Sequence, residues 1–520
     1  MSQRRGYFED FDVGNVLGDV QDWYHIPTLV VLLGFMLWVR MRSWSNFVRD
    51  GDVFFSGNDA WYHYRQTQYV VDQWPQTMPF DPWTYFPYGT SSGQFGTLFD
   101  QLVATAALIV GLGNPSDQTV AMTLLLAPAV FGALVAIPVY FAGKRLGGRF
   151  GGLVSVLILA LSSGSFLNRS IVGFSDHHVA EVLFQMTAVV AIMIAVSVAE
   201  DEMPVWELVV NREWDALRKS AGWATLAGVA MALYIWVWPP ALLLVGIFGV
   251  FLVIQLNLDY LRGRSPEHVA FVGVIALVVT GLLSLVPLST LEVTGVDFSF
   301  MQPLLAFAVA AGAVFMAWLA RKVDDADIDR RAYPAFVFGA IAATAVLAAV
   351  IVPDVFGYIV KNTQRFIGLG GGAQAQTIGE AQPLPLGDLL PRLFGSYGLA
   401  WFGALAGLVA MLAGHARGTE QRGETVFVMI WTVIMLLATM TQVRFGYYLT
   451  LPIAVLNAYI IALIAKYVSP TGSLEEIETF QVLTIMAVLI LVIAPMVVPM
   501  TASSSTVIER GSGAGPSPGV

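Results

Sequence analysis

The residues best able to do chemistry fall in four short stretches. The first is Thr377-Ile378-Gly379-Glu380, which sits in a polar segment rich in glycine and glutamine between two apolar runs. A carboxylate placed beside a membrane, rather than on a solvated helix face, suits work on a lipid-linked substrate. The second is Gly57-Asn58-Asp59-Ala60-Trp61-Tyr62-His63-Tyr64-Arg65. Asp59 has the residue type of a turn former or cap. Its aromatic neighbours mark an interfacial segment, where a bare carboxylate needs a partner, and a metal ion is one such partner. The third is Asp176-His177-His178, shortly after Asn168-Arg169-Ser170. Its Asp-x-His spacing offers one hard oxygen and one imidazole to a divalent cation, suiting Mn²⁺ or Mg²⁺. Asp also caps helices, but capping does not account for two adjacent histidines in a chain that has six. Neither cysteine nor a His-x₃-His pair is present, which disfavours zinc. The fourth is Gln442-Val443-Arg444-Phe445-Gly446-Tyr447-Tyr448. The forked, permanently charged guanidinium of Arg444 suits a phosphate; the bland alternative is an arginine snorkelling at a membrane edge.

These stretches must be positioned by membrane helices. Of 520 residues, 56% are apolar and 12% charged, with mean hydropathy +0.68. A soluble domain carries about 25% charged residues. Thirteen apolar runs of spanning length are expected, the first at 26–42 and the last at 480–500. The run Leu98–Gly113 is short and interrupted by Asp100 and Gln101, so it reads as interfacial or re-entrant. With that run left out, roughly 17 of the 27 Lys and Arg fall on one side, which the positive-inside rule makes cytoplasmic. Residues 1–500 then form a transmembrane domain with external loops 43–118, 165–178 and 353–395. Each of these loops holds one acidic stretch. The tail 501–520 is expected to be disordered and external. The net charge of −10 argues against a nucleic-acid partner. An acidic, lysine-poor, cysteine-free composition fits a high-salt cytosol such as a haloarchaeon's, and the absence of cysteine removes disulfide and thiolate chemistry.

Together these residues resemble the catalytic subunit of oligosaccharyltransferases, most closely the archaeal, haloarchaeal form. Gly57-Asn58-Asp59 is similar to the family's first acidic motif, Asp176-His177-His178 to its second in Asp-x-His form, and Thr377–Glu380 to its TIXE motif. Arg169 and Arg444 match family arginines near the phosphate-bearing donor. The resemblance implies an all-α, polytopic fold of the GT-C glycosyltransferase type with about thirteen helices. It implies transfer of a glycan from a dolichyl phosphate or diphosphate carrier to the Asn of Asn-X-Ser/Thr sequons in secreted or surface proteins. The reaction would take place at the external face of the plasma membrane, among its lipids. It further implies Mn²⁺ or Mg²⁺ held by Asp59, Asp176 and His178, a donor phosphate bound by Arg444, and an acceptor amide engaged by Asp59 and Glu380. Asp59, Glu380 and Arg169 would be the catalytic residues.

The family also carries a soluble external domain whose WWDYG motif grips the sequon hydroxyl. No WWDYG occurs in these 520 residues. This sequence is therefore expected to hold the metal and donor half of the machinery without the sequon reader, and to act poorly alone or with a partner. Two other readings stay open. A polyprenyl-phosphate-sugar O-glycosyltransferase would share the acidic first loop without needing TIGE or Asp-x-His. A polytopic transporter would place its polar groups near mid-membrane in broken helices or inverted repeats.

Overall fold

The computed structural model describes residues 23–93, 95–201, 205–288, 291–294, 297–366, 379–468, 479–498 and 505–516. Among the described residues the fold is helical apart from a two-stranded hairpin, β1 (Val48–Arg49) and β2 (Asp52–Val53), and an isolated antiparallel bridge between Asp81 and Thr90. In chain order the helices used below are α1 (His25–Met41), α2 (Asp59–Gln73), α3 (Leu98–Val110), α4 (Asp117–Leu134), α5 (Ala136–Leu161), α6 (Ser165–Ser170) and α7 (His178–Asp201). There follow α8 (Trp214–Val237), α9 (Leu242–Leu261), α10 (Glu267–Ser284), α11 (Met301–Asp325), α12 (Tyr333–Ile351) and α13 (Pro353–Phe366). The last six are α14 (Leu386–Tyr397), α15 (Ala400–Arg417), α16 (Gly423–Thr441), α17 (Gly446–Val468), α18 (Thr479–Val497) and α19 (Val507–Gly513).

Among the described residues ten helices are long and apolar enough to cross a membrane, or eleven if the pair α14–α15, bent by 105°, is one span. This makes the chain a multi-pass membrane protein. The difference from thirteen arises at three places. The runs expected at 119–141 and 149–164 fall in one apolar stretch of 45 residues, Asp117–Leu161. Inside it, Gly147 (φ −135°, ψ 19°) and Gly148 (φ 66°, ψ −171°) leave helical geometry. The arms on either side fold together, and Ser155 Oγ donates to Val139 O at 3.2 Å across the bend. The expected span 396–414 is the bent pair. The run expected at 480–500 is represented by Leu483–Val497, which is short of full spanning length.

Segments read as loop or tail contain helices. Within 353–395, α13 and α14 are short helices that alternate apolar and polar residues, too mixed to register as apolar runs. Within 501–520, α19 starts at a capping box. Thr506 accepts from Glu509 N at 3.2 Å, and Glu509 accepts from Thr506 N at 2.8 Å. Two orphan helix donors are thereby satisfied reciprocally. Asn46 Nδ2 then donates to Ala514 O at 2.8 Å, docking this helix beside α1.

The most enclosed spans are α7 and the one containing α17. Two thirds of the apolar window is buried in each (67%), against 6% for the span containing α12. The candidate site lies at one end of these two core helices, which set its position most firmly. In the segment before α3, Asp81 is fully buried and ties the chain down. It accepts from Arg65 Nη2 at 2.6 Å, Thr84 Oγ1 at 2.7 Å and Trp83 N at 3.0 Å.

Candidate active site

A tight turn delivers Asp176. Before it, α6 carries Arg169 and Ser170, and Arg40 of α1 donates from Nε to Ser170 Oγ at 2.8 Å. The turn then hangs from neighbouring backbones: Val172 N donates to Arg40 O at 3.0 Å and Gly173 N to Leu125 O at 3.1 Å. Gly173 has φ +85°, and a Cβ there would lie 2.2 Å from the Phe47 ring. Only glycine meets both the left-handed backbone and the close ring. Ser175 Oγ donates to Leu124 O at 2.9 Å, and α7 begins two residues after Asp176 itself.

Asp176 is the centre of the cluster, 3% exposed. Its Oδ1 is 2.6 Å from His177 Nδ1 and 3.2 Å from His63 Nε2, and its Oδ2 is 2.7 Å from His178 Nδ1. Burial pushes the Asp176 carboxyl up, but the His178 and His177 rings together outweigh it and hold it well below the usual carboxylate range. His63 reaches the cluster because α2 buries Ala60, His63, Thr67 and Val70 along one stripe at helical spacing. Burial disfavours its charge, but Asp100 and Asp176 on either side push it up to about 10. Asp59 opens α2 one turn before His63, at the rim. The protein packed behind it, and then the Asp176 carboxylate, push Asp59 above its usual range.

The other stretches meet this cluster from one side. Glu380 lies in the turn Gly379–Ala381, and its Oε2 accepts from Arg169 Nη2 at 2.5 Å. The Arg169 guanidinium also sits 4.7 Å from the Tyr447 ring centroid, and Tyr447 packs edge-on to His178. Two backbone bonds hold the Glu380 segment to the Arg444 turn: Leu384 N donates to Met440 O at 2.8 Å and Val443 N to Gln382 O at 3.0 Å. Arg444 lies over Trp238 and Phe445, and its Nε is buried without a hydrogen-bond partner among the described residues.

Asp59, Arg169, Asp176, His178, Glu380 and Arg444 therefore converge at one end of the helices. Thr377, Ile378 and the glycines between 368 and 372 lie outside the described residues. Two groups of donor atoms have the spacing a metal ion needs: His63 with Asp176 and His177, and His177 with His178 and Glu181. Asp59 is in neither group, although it feels their charge. Sequence reasoning did not single out His63, Asp100, Glu181 or Tyr447. His63 follows Asp59 by four residues and Glu181 follows His177 by four, so each pair shares a helix face once the helix start is known. Asp100 and Tyr447 join only through tertiary packing.

The family model "Oligosaccharyl transferase STT3, N-terminal" matches residues 29–368, well over half the chain. The dolichyl-monophosphooligosaccharide–protein glycotransferase AglB of Haloferax volcanii is 45% identical over 92% of this chain and 52% of its own length. A dolichyl-phosphooligosaccharide–protein glycotransferase of Archaeoglobus fulgidus is 24% identical over 93% of this chain and 56% of its own. The chain thus spans about half the length of the curated relatives it matches. A solved structure of the Archaeoglobus fulgidus oligosaccharyltransferase AglB, with an inhibitory peptide and a dolichol-phosphate, shares the fold at a TM-score of 0.82. It is 22% identical and is matched over 95% of this chain and 56% of its own. Another, in complex with Zn and sulfate, shares the fold at a TM-score of 0.71 and 21% identity, over 94% of this chain and 53% of its own. The helical architecture and the matched residues 29–368 agree, and the chain belongs to the STT3 oligosaccharyl transferase family.

Proposed function

We propose that this chain transfers a glycan from a dolichyl phosphate or diphosphate carrier to the Asn side chain of Asn-X-Ser/Thr sequons. Its acceptors would be secreted or surface proteins and its active end the external face of the plasma membrane. The observation that carries the reading is Glu380 on Arg169 beside the Asp176 cluster, with Arg444 tied to the same segment. One carboxylate, one cation cluster and one arginine with an unbonded buried Nε are the parts that glycan transfer from a lipid phosphate requires. No observation favours a transporter, because the polar groups gather at one end of the helices rather than at mid-membrane.

The donor set fits a divalent cation, since a buried carboxylate with imidazole nitrogens at 2.6–3.2 Å is a metal ligand set in composition and spacing. Asp176, His178 and Asp59 would hold Mn²⁺ or Mg²⁺. When bound, the ion supplies positive charge that offsets charge developing on the leaving phosphate. Arg444 binds the same phosphate through its fork. Asp59 and Glu380 accept hydrogen bonds from the two N–H groups of the acceptor amide. This localises a lone pair otherwise delocalised into the carbonyl, and makes the nitrogen a better nucleophile. Arg169 is the positioning partner of Glu380, fixing its carboxylate in the described arrangement.

The test uses the protein reconstituted in lipid vesicles, with a dolichyl-phosphate-linked glycan and Asn-X-Thr or Asn-X-Ala peptides. Mass spectrometry should find glycan on Asn and not on hydroxyls, at a low level, because the WWDYG motif that grips the sequon hydroxyl in the family does not occur in these 520 residues. Glycan on Ser or Thr hydroxyls instead would favour an O-glycosyltransferase. Uptake of the donor without transfer to either peptide would count against an enzyme of this class.

A further inference from the structure

Two imidazoles at the cluster are each backed by a buried carboxylate on the ring nitrogen that faces away from Asp176. His63 is 2% exposed, and its Nδ1 lies 2.8 Å from Oδ1 of Asp100, which is 1% exposed. That contact turns His63 Nε2 inward, to 3.2 Å from Asp176 Oδ1 and 3.2 Å from His177 Nδ1. His177 has a similar buried neighbour, in close contact though not in hydrogen-bond geometry: its Nε2 is 3.1 Å from Glu181 Oε1, 1% exposed, while its Nδ1 is 2.6 Å from Asp176 Oδ1. The inward atoms of His63, His177 and Asp176 thus form a triangle with edges of 3.2, 3.2 and 2.6 Å. Donors bound about 2.1 Å from one transition-metal ion stand about 3 Å apart, close to these edges. A carboxylate on the far nitrogen of a ligating histidine fixes its tautomer, aims the near nitrogen and raises its basicity. The two rings arrive from different elements, His63 from α2 and His177 from the turn before α7, so local sequence alone does not explain their convergence.

We propose that His63 is a ligand of the cation held at Asp176, oriented by Asp100. With His177 it gives the site a nitrogen-rich face that selects Mn²⁺ and related transition ions over Mg²⁺. The inference rests on reading the Asp176 cluster as a cation site. Mg²⁺ keeps oxygen ligands and water, whereas imidazole is a common ligand of transition ions. The proposed function does not require this preference, because either ion can neutralise a phosphate.

The test is Mn²⁺ binding to the purified, chelator-stripped protein, read by electron paramagnetic resonance with nitrogen couplings and by Mg²⁺ competition. Wild type should show imidazole nitrogen couplings and a preference for Mn²⁺. His63→Ala should lose one set of couplings and weaken Mn²⁺ by about 100-fold, and Asp100→Asn by about 10–100-fold, the cost typical of a lost outer partner. The apparent Mg²⁺ affinity should change far less, so the preference narrows. If His63→Ala does not survive purification, Asp100→Asn keeps both the ring and the volume and carries the same test. Wild-type protein that binds no divalent ion would overturn the cation reading beneath the proposal. Protein that binds Mn²⁺ with the same affinity and couplings in both variants would overturn the role of His63 alone.

Discussion

Replacing Gly173 with alanine probes how tightly the turn before Asp176 is specified. The position combines φ +85° with a Cβ site 2.2 Å from Phe47 Cε1. Left-handed backbone costs an L-residue about 1–2 kcal/mol. Inserting a methyl group into packed surroundings costs about 1–3 kcal/mol. The sum, roughly 2–5 kcal/mol, falls on a turn that hangs from Arg40 and Leu125 by backbone bonds. Relief requires either Phe47 or the turn to move, and a turn that moves carries Asp176 with it. A displacement of about 1 Å costs on the order of 100-fold in rate. Gly173→Ala should therefore lower glycan transfer by about 100-fold while the protein still inserts in the membrane. Gly51→Ala is the control. Gly51 has φ +90° with nothing within 4 Å of its Cβ site, so it carries the backbone cost without the clash. Its stability should drop by about 1–2 kcal/mol, read as a lower unfolding temperature in detergent, with transfer within about threefold of wild type. Equal loss of transfer in both variants, or none in Gly173→Ala, would refute the reasoning from close approach.

Three further outcomes follow from the same contacts. Glu380→Gln keeps shape and loses charge, so glycopeptide formation should fall by orders of magnitude while donor binding survives; earlier loss of donor binding would contradict its role toward the acceptor. Arg444→Lys keeps the charge and loses the fork. The apparent affinity for the lipid donor should weaken about tenfold in a titration, and a change confined to peptide affinity would count against a phosphate role. Asp81 tests the pH dependence of the segment before α3. Burial alone would raise its pKa, but hydrogen bonds from Arg65, Thr84 and the Trp83 N–H hold it below its usual value. A lowered folded pKa contributes stability above about pH 4 that is lost as pH falls through it. Limited proteolysis between residues 79 and 92 should therefore rise below that pH in wild type. Asp81→Asn should already be weaker at neutral pH, by about 1–3 kcal/mol, and show no such step; an identical step in both would exclude Asp81.

The parts of this molecule legible in sequence are those whose information is local. Asp176-His177-His178 and Glu380 stand out because carboxylates and histidines are conspicuous in an apolar chain. The capping box Thr506–Glu509 was equally local, but it sat in a Ser/Thr/Gly-rich tail whose composition reads as disorder. The break at Gly147-Gly148 falls between two expected spans, where the backbone leaves helical geometry and the two arms fold back on each other. His63 was hidden for a different reason. On a short helix with four aromatic residues it reads as part of an interfacial stripe, and only the packing of α3 against α2 brings Asp100 to its other side. Glu181 looked like an acidic residue in the first turn of a span, where the helix dipole favours one. Its contacts with Tyr447 and Tyr448 join positions up to 267 residues apart and could not be read locally.

The central claim is that the Asp176 cluster carries out glycan transfer. The most direct measurement compares wild type, Asp59→Ala and Asp176→Ala in vesicles supplied with a dolichyl-phosphate-linked glycan and an Asn-X-Thr peptide, with membrane insertion checked for each. Both variants should insert normally and form no detectable glycopeptide, because each removes an anionic oxygen from the proposed cation site. Near-normal transfer by either variant at normal expression would contradict the account.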